Sequence, residues 1–431
     1  MKAAVLKTAE RLFSAVGGYM KFLPKISAPL SSDSTESEIE EYQRLALQNL
    51  LDKASKVPFY KSLFKKYKIN NKKVDDIKGL ESILITDYDL RQNRRAMRNP
   101  SCFFYFTQTT SGTGGNPVKV DISLKQLLNV FPIHKRSMQE FGFSGEGLVI
   151  IHRGSPSYYL ALFSTILEGK VEFADYRDLN EQISKIVRKD YIVGYPTALL
   201  RLAKRIEGKE IADNIRLIVY SAEPLTDVGR EALKNTFTNA KIHSIYGSIE
   251  TYGPIGCTCE KGNFHLNPDF AILEQDPKNN AIITLLDKDR GTILIRYAGL
   301  KDKIWFTKCT CKSNFPAFRL KGTFRHIDGE RIADAIYSSE AFKRGIIGPY
   351  FDWQLFDDPQ ENVKLIRIQL ELIKQENAQT VKDELENIIV YGNDKVPPSK
   401  PLQDLKELLK FNFIFTKSDK VDTLKSPGLR R

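Results

Sequence analysis

The chain has no unbroken apolar run near the ~18 residues that a bilayer-crossing helix needs, so no membrane span is expected. Cysteine is scarce, at five in 431 residues, too few to staple a chain of this length. A reducing, cytoplasmic setting is therefore the expectation. Residues 1–25 lack the apolar centre of a signal peptide, since lysines recur and Glu10 interrupts them. Leu6, Leu12, Phe13, Val16 and Met20 in that stretch instead suit an amphipathic helix lying on its own domain. No helix-turn-helix, zinc-finger or RNP signature is found, and no repeat recurs at about 20–50 residues.

What is present describes a globular protein, with 42% hydrophobic and 27% charged residues and room for about two or three domains. The net charge of +12 comes from basic residues scattered among Asp and Glu. That pattern favours a basic pocket for anionic small molecules, or an acidic protein partner, over nucleic acid. Ile39, Tyr42, Leu45, Ala46 and Leu50 fall at helical spacing after Asp33 and Ser34. From about residue 145 to 260, strand-like runs (148–152, 191–194, 215–221) alternate with helix-like ones (158–167, 198–206, 227–237). Such alternation argues for βαβ units around a largely parallel sheet, an α/β fold. Beyond Phe318, residues 319–331 are polar with two glycines and read as a hinge. A helix over 334–342, strands over 363–372 and a Glu/Lys-rich helix then predict a small α+β domain. The expected division is a large domain, 1–320, and a small mobile one, 321–431.

Thr109-Thr110-Ser111-Gly112-Thr113-Gly114-Gly115-Asn116-Pro117 is the densest chemical signal. Glycines let successive N–H groups converge on an anion, and the hydroxyls add donors for the same phosphate oxygens. Strand-like residues flank the loop on both sides (Phe103–Phe106 before, Val118, Val120 and Ile122 after). With no Gly-Lys-Ser/Thr ending it is not a P-loop, and Pro117 spoils a dinucleotide fingerprint. Ser221-Ala222-Glu223-Pro224 follows a buried-looking strand, where a ligand loop belongs at a sheet's carboxyl edge. Tyr246-Gly247-Ser248-Ile249-Glu250 follows another, and Glu250 beside a phosphate loop suits Mg²⁺. Asp302, after Arg296-Tyr297, could accept from ribose hydroxyls. Two close pairs of thiols, Cys257/Cys259 and Cys309/Cys311, can supply four tetrahedral ligands to a structural zinc, with His265 the alternative donor. The tighter Cys-x-Cys spacing departs from the usual Cys-x-x-Cys.

In this order the segments resemble the adenylate-forming (acyl-CoA synthetase) superfamily, most of all its phenylacetate-CoA ligase and coenzyme F390 synthetase-like branch. Residues 110–117 are similar to that family's Thr-Ser-Gly-Thr-Thr-Gly-x-Pro phosphate loop, with Gly114 in place of a threonine. Glu223-Pro224-Leu225 looks like its Gly-Glu-Pro-Leu segment beside adenine, and Tyr246–Glu250 its Tyr-Gly-x-x-Glu, whose Glu binds magnesium. Gly256–Asp269, Cys309-Thr310-Cys311 and Val57-Pro58-Phe59-Tyr60 resemble further elements of the branch. The likeness spans residues 40–320. It implies a large multi-sheet adenylate-forming N-terminal domain joined by a hinge to a small α+β C-terminal domain. The implied chemistry is ATP-dependent activation of a carboxylic acid to an acyl-adenylate, followed by thioester formation with coenzyme A.

The resemblance assigns catalytic roles to Glu250 and to Lys425, the nearest match to the family's C-terminal lysine, with Lys420 a second option. ATP would be held by Thr110, Ser111, Gly112, Thr113, Gly114, Gly115, Ala222, Glu223, Pro224, Tyr246, Gly247 and Asp302. The family's Arg-Tyr-Arg-Thr-Gly-Asp is one residue longer here, so Asp302 is shifted, and the first half of the hinge motif is shortened around Gly322–Asp328. Phe131, His134, Tyr158, Tyr159 and Tyr252 are substrate-pocket candidates, favouring an aryl acid. The acyl acceptor is CoA or the phosphopantetheine of an acyl carrier protein, and a homodimer is a candidate assembly. Two other classes predict different behaviour. A non-catalytic adenylate-fold protein binds ATP without releasing pyrophosphate, and a nucleic-acid-binding zinc protein retains DNA or RNA in a salt-sensitive way.

Overall fold

The computed structural model describes residues 28–416, apart from 103–104, 111–117, 145–146, 153–171, 176–182, 184–185, 187, 207, 209, 223–224, 226, 301, 322–328, 359–362, 375–377, 397, 399–402 and 404–405. Helix α1 (Glu36–Ala54) starts on a capping box, in which Thr35 and Glu38 satisfy each other's backbone amides. It buries Leu47, Leu50, Leu51 and Ala54. Helix α2 (Pro58–Lys66) opens on a proline, where the missing N–H costs nothing. Its Tyr60 hydroxyl donates to the Ile293 carbonyl and accepts the Ile295 N–H. Helix α3 (Asp87–Asn93) carries a second capping box, from Thr86 and Asp89.

Strands β1 (Tyr105–Thr109) and β2 (Lys119–Ser123) form an antiparallel pair, with Thr109 opposite Lys119. They are the two arms of the glycine loop. Ser123 ends β2 and caps α4 (Leu124–Glu140), whose Val130, Phe131, Ile133 and Met138 enter the core.

Five strands run parallel: β3 (Leu148–His152), β4 (Glu172–Asp175), β5 (Tyr191–Gly194), β6 (Leu217–Ser221) and β7 (Lys241–Tyr246). Helices α5 (Pro196–Ile206) and α6 (Asp227–Thr236) lie between them in sequence. An antiparallel wing continues the sheet through β8 (Gly256–Thr258) and β9 (Phe264–Leu266). A hairpin of its own, β10 (Ala271–Gln275) with β11 (Ala281–Leu285), precedes the last two wing strands, β12 (Lys303–Thr307) and β13 (Ala317–Lys321). The nine strands lie in the order β12-β13-β9-β8-β7-β6-β5-β3-β4. Because β4 and β5 flank β3 on opposite sides, the winding reverses at β3. In open α/β sheets a ligand crevice forms beyond the carboxyl ends at such a reversal.

The C-terminal part is α+β, as expected: α7 (Gly329–Ser338), β14 (Ile347–Asp358), β15 (Val363–Leu372), α8 (Ala378–Tyr391) and β16 (Leu409–Thr416). β15 pairs antiparallel with β14 and parallel with β16. The helix expected over 334–342 breaks at Ser339, which caps a separate turn, Glu340–Lys343. Part of the polar stretch read as a hinge is strand. Arg319, Leu320 and Lys321 belong to β13 and pair with Trp305, Ile304 and Lys303, so only 322–328, outside the described residues, separate the sheet from α7. The C-terminal part also shares one apolar core with the parallel sheet's helices. Leu199, Leu202, Leu233 and Phe237 sit in the same cluster as Ile332, Ile336, Ile366 and Leu385.

Candidate functional site

The carboxyl edge of the parallel strands collects the motifs. Ala222 follows β6 and is exposed with φ of 69°, a left-handed conformation that costs a non-glycine residue about 1 kcal/mol. Glu223, Pro224 and Ser111, Gly112, Thr113, Gly114 and Gly115 lie outside the described residues, as do Tyr158, Tyr159, Lys420 and Lys425. Thr110 closes the neck of the glycine loop, with its N–H on the Val118 carbonyl at 2.8 Å and its hydroxyl accepting the Val118 N–H at 2.9 Å. Among the described residues that hydroxyl's own proton meets no acceptor.

Tyr246 ends β7 next door. Its ring is buried and meets Phe264 and Phe318 edge-on at about 6 Å, while its hydroxyl donates to the Asp302 carboxylate at 2.8 Å. The ring is thus a packed aromatic, and the hydroxyl fixes Asp302. Burial, then the Asp302 charge, pushes the Tyr246 pKa far above the ordinary range, so the phenol keeps its proton. Gly247 is obligatory, because a Cβ there would stand 2.5 Å from the Gly253 carbonyl oxygen. The turn it opens is knit by Ser248 and Thr251, each of which donates its amide to the other's hydroxyl.

Glu250 rides on this turn, half-buried. Burial raises its pKa against hydrogen bonds from its own amide and from Ser248, and nearby Asp87 pushes the same way. A cation beside it would relieve both effects. The Glu250 carbonyl accepts from Arg290 at 2.9 Å. Arg290 is itself wholly buried, and burial lowers its pKa to about 10. Tyr252, also at positive φ, packs edge-on against Phe106 of β1. Sequence reasoning missed Arg290, whose only local signal is a charge and a glycine beside the apolar run Ile293-Leu294-Ile295.

The glycine-loop arms are anchored from below. The Asp121 side chain is fully buried and takes hydrogen bonds from Arg94, Thr107 and Arg98. Burial alone would raise its pKa, but these partners hold it below the ordinary carboxylate range. The Asp121 amide donates to Thr292, and Gly291 passes so close to the Asp121 carbonyl that no side chain fits. One short segment, 288–292, therefore touches both the glycine-loop hairpin and the Glu250 turn.

Of the substrate-pocket candidates, Phe131, His134 and Tyr252 are buried in the interior. Burial depresses the His134 pKa to about 3, so the ring is neutral.

The cysteine reading needs a correction. The ligand atoms of Cys259, His265, Cys309 and Cys311 all lie within 4.8 Å of one another, and Cys257 is not among them. Cys257 sits on β8, buried against Asn267, with its pKa pushed up to about 12 by burial. Strand β8 stops at Thr258, so Cys259 falls in the tight turn before β9 and its thiol swings toward the 309–311 loop. Cys259 and Cys309 sulfurs are 3.6 Å apart, and Cys311 Sγ is 3.2 Å from His265 Nε2. Tetrahedral zinc with bonds of about 2.3 Å spaces sulfurs about 3.8 Å apart. His265 Nδ1 is 2.7 Å from the Phe315 carbonyl, which fixes the tautomer that leaves Nε2 free for a metal.

A buried knot also lies beside the site. Arg136 on α4 is held bidentately by Asp269, at 2.6 and 2.9 Å, and by Asn267 at 2.6 Å, with its guanidinium over the Phe315 ring. No described helix is long and apolar enough to cross a membrane.

No known family profile matches the chain, and no curated protein matches it. Among solved structures it is similar to 2-hydroxyisobutyryl-CoA ligase in the postadenylation state with R3-HIB-AMP. The TM-score is 0.65 at 13% identity, covering 94% of this chain and 92% of that one. The same ligase in the thioesterification state, with 2-HIB-AMP and CoA, gives 0.60 at 15% identity over 93% and 90%. Its open conformation with the same ligands gives 0.59 at 17% identity over 72% and 82%. The chain shares the α/β fold of that acyl-CoA ligase.

Proposed function

We propose that the chain is an AMP-forming acid–thiol ligase, which activates a carboxylic acid with ATP and transfers the acyl group to CoA. The observation that carries this reading is the Tyr246–Asp302 hydrogen bond. It joins two nucleotide-site candidates separated by more than fifty residues of sequence, beside Glu250 and at the carboxyl edge of the sheet. The shared fold supports it, since the similar ligase is held with an acyl-AMP and CoA.

In the first half-reaction the substrate carboxylate forms a bond to the ATP α-phosphorus, and pyrophosphate leaves with the electrons of the bond that breaks. The glycine-loop amides and the hydroxyls of Thr110, Ser111 and Thr113 hold the leaving phosphates. Asp302 accepts from the ribose hydroxyls while it goes on accepting from the Tyr246 hydroxyl. Glu250 would hold Mg²⁺, which when bound would neutralise charge on the phosphates. Lys425 adds a positive charge at the α-phosphate. In the second half-reaction a thiolate attacks the acyl carbonyl and AMP departs. The small domain expected over 321–431 is the unit that would move between the two. We read the acid as an aryl acid, the class that the aromatic pocket candidates of the sequence favour.

Cys259, His265, Cys309 and Cys311 fit a structural zinc. Their donor set is that of closed tetrahedral sites, which leave the metal no open position for chemistry. Purified protein should carry about one zinc per chain, and Cys309→Ser should lose it together with thermal stability. Protein that is metal-free and equally stable would refute the assignment.

The decisive assay is acid-dependent ATP–pyrophosphate exchange over benzoates, phenylacetates, cinnamates and short fatty acids, followed by thioester detection with CoA. Exchange with one acid class, lost in Glu250→Gln, supports the ligase. ATP binding without exchange under any acid points to a nucleotide-binding protein instead.

A further inference from the structure

A half-open cavity of about 470 Å³ lies between α3 with the turn that follows it and the start of β2. It is lined by Leu90, Arg91, Gln92, Asn93, Arg94, Arg95, Ala96 and Lys119. The local charge is one-sided. Arg91, Arg94, Arg95 and Lys119 line it, and Arg98 stands just behind. The nearby carboxylates are already engaged: Asp87 by Arg91, Asp89 by the Thr86 cap, and Asp121 by Arg94 and Arg98 together. Arg95 and Lys119 are exposed and make no ion pair among the described residues. Cationic groups left facing one concave volume attract a multiply charged anion.

The place of the cavity ties it to the site. Lys119 is paired with Thr109 at the neck of the glycine loop. Asp87, one helical turn from Arg91, is close enough to Glu250 for its charge to act on that carboxyl. Helix α3 is only seven residues, about 10 Å, so the cavity opens within reach of where the reacting phosphates would lie. Its volume falls within the usual range for a small-molecule site.

We propose that this cavity binds the phosphate groups of a reactant beyond those gripped by the glycine loop. The 3′-phosphate-bearing nucleotide of CoA is one source, and the departing pyrophosphate is the other. The proposal rests on the ligase reading. If CoA is the source, the pocket also separates free CoA from a carrier protein, because a phosphopantetheine arm carries no nucleotide to fill it.

Arg95→Glu and Lys119→Glu reverse exposed charges without opening a buried ion pair, and Lys234→Glu, exposed on α6, controls for net charge. Direct titration of CoA, 3′-dephospho-CoA and pyrophosphate against each variant reads the pocket without needing turnover. Both pocket variants should weaken one ligand about tenfold while Lys234→Glu does not, and the loss should shrink at high salt. Weakened CoA with unaltered pyrophosphate and dephospho-CoA assigns the pocket to the 3′-phosphate. Weakened pyrophosphate assigns it to the leaving group. Wild-type affinities for all three in both pocket variants would overturn the proposal. Failure of the ligase reading looks different: no exchange under any acid, yet phosphate binding still lost in Arg95→Glu.

Discussion

The core around Leu50, Ile122, Tyr246 and Phe318 is threaded by buried charges, whereas the core joining α5 and α6 to the C-terminal strands is built on aliphatic side chains. In the first, Arg136 binds Asp269 and Asn267, Arg290 binds the Glu250 carbonyl, and Arg296 reaches Glu274 and the carbonyls of Leu80, Glu81 and Ile83. In the second, Leu199, Leu202, Ile206 and Phe237 share a cluster with Ile336, Ile366, Ile368 and Ile389. Apolar contact is non-directional, while a bidentate guanidinium accepts one arrangement of partners. The candidate site is assembled from segments far apart in sequence, which need a fixed relative position. Directional bonds supply that.

The largest expected effect breaks the charged core. Asp269→Ala leaves the Arg136 guanidinium buried and short of its carboxylate, a loss of about 3–5 kcal/mol in urea unfolding. A companion Arg136→Met, Asp269→Leu pair should recover much of it, because the unpaired charge is gone. A loss under about 1 kcal/mol from Asp269→Ala would mean the pair is solvent-screened, and the contrast between the cores would collapse. Next comes Leu385→Ala in the aliphatic core, where a deleted side chain and its cavity cost about 2–4 kcal/mol. ATP affinity should be unchanged in this variant, since the nucleotide candidates belong to the other core. A shift in ATP affinity would show that the two cores act as one.

The aliphatic core was the more legible of the two in sequence. Runs such as Leu217-Ile218-Val219-Tyr220 are buried on both faces and announce parallel strands by composition alone. Arg319 and Lys321 look like linker residues in sequence, although their backbones pair with β12. The Cys/His cluster was half legible. Spacing brought the thiols to notice, but which of Cys257 and Cys259 turns inward depends on where β8 ends, which spacing does not carry. His265 stood as the alternative donor, and the turn at Cys259 promotes it to the cluster. The Tyr246–Asp302 and Arg290–Glu250 bonds are long-range pairings, and no local pattern encodes a partner 40 or more residues away.

The smallest effect is the sharpest test of what the charged core is for. The surroundings of Glu250 oppose its charge, through burial and Asp87. Its folded pKa is raised above the unfolded value, so its ionisation costs nothing below the unfolded pKa. The cost appears as pH rises through the window between the two values and stays constant above the folded one. Glu250→Gln should therefore stabilise the ligand-free protein slightly at neutral pH, by on the order of 0.5 kcal/mol, with the gain vanishing near pH 4. The same variant should lose the further stabilisation that Mg²⁺ and ATP together confer on the wild type by binding the folded state. A thermal melt series over pH, with and without Mg²⁺–ATP, measures both. If Glu250→Gln is instead destabilising at neutral pH while the Mg²⁺–ATP increment persists, Glu250 is a structural carboxylate of this core like Asp121 and Asp269, and the cation belongs elsewhere.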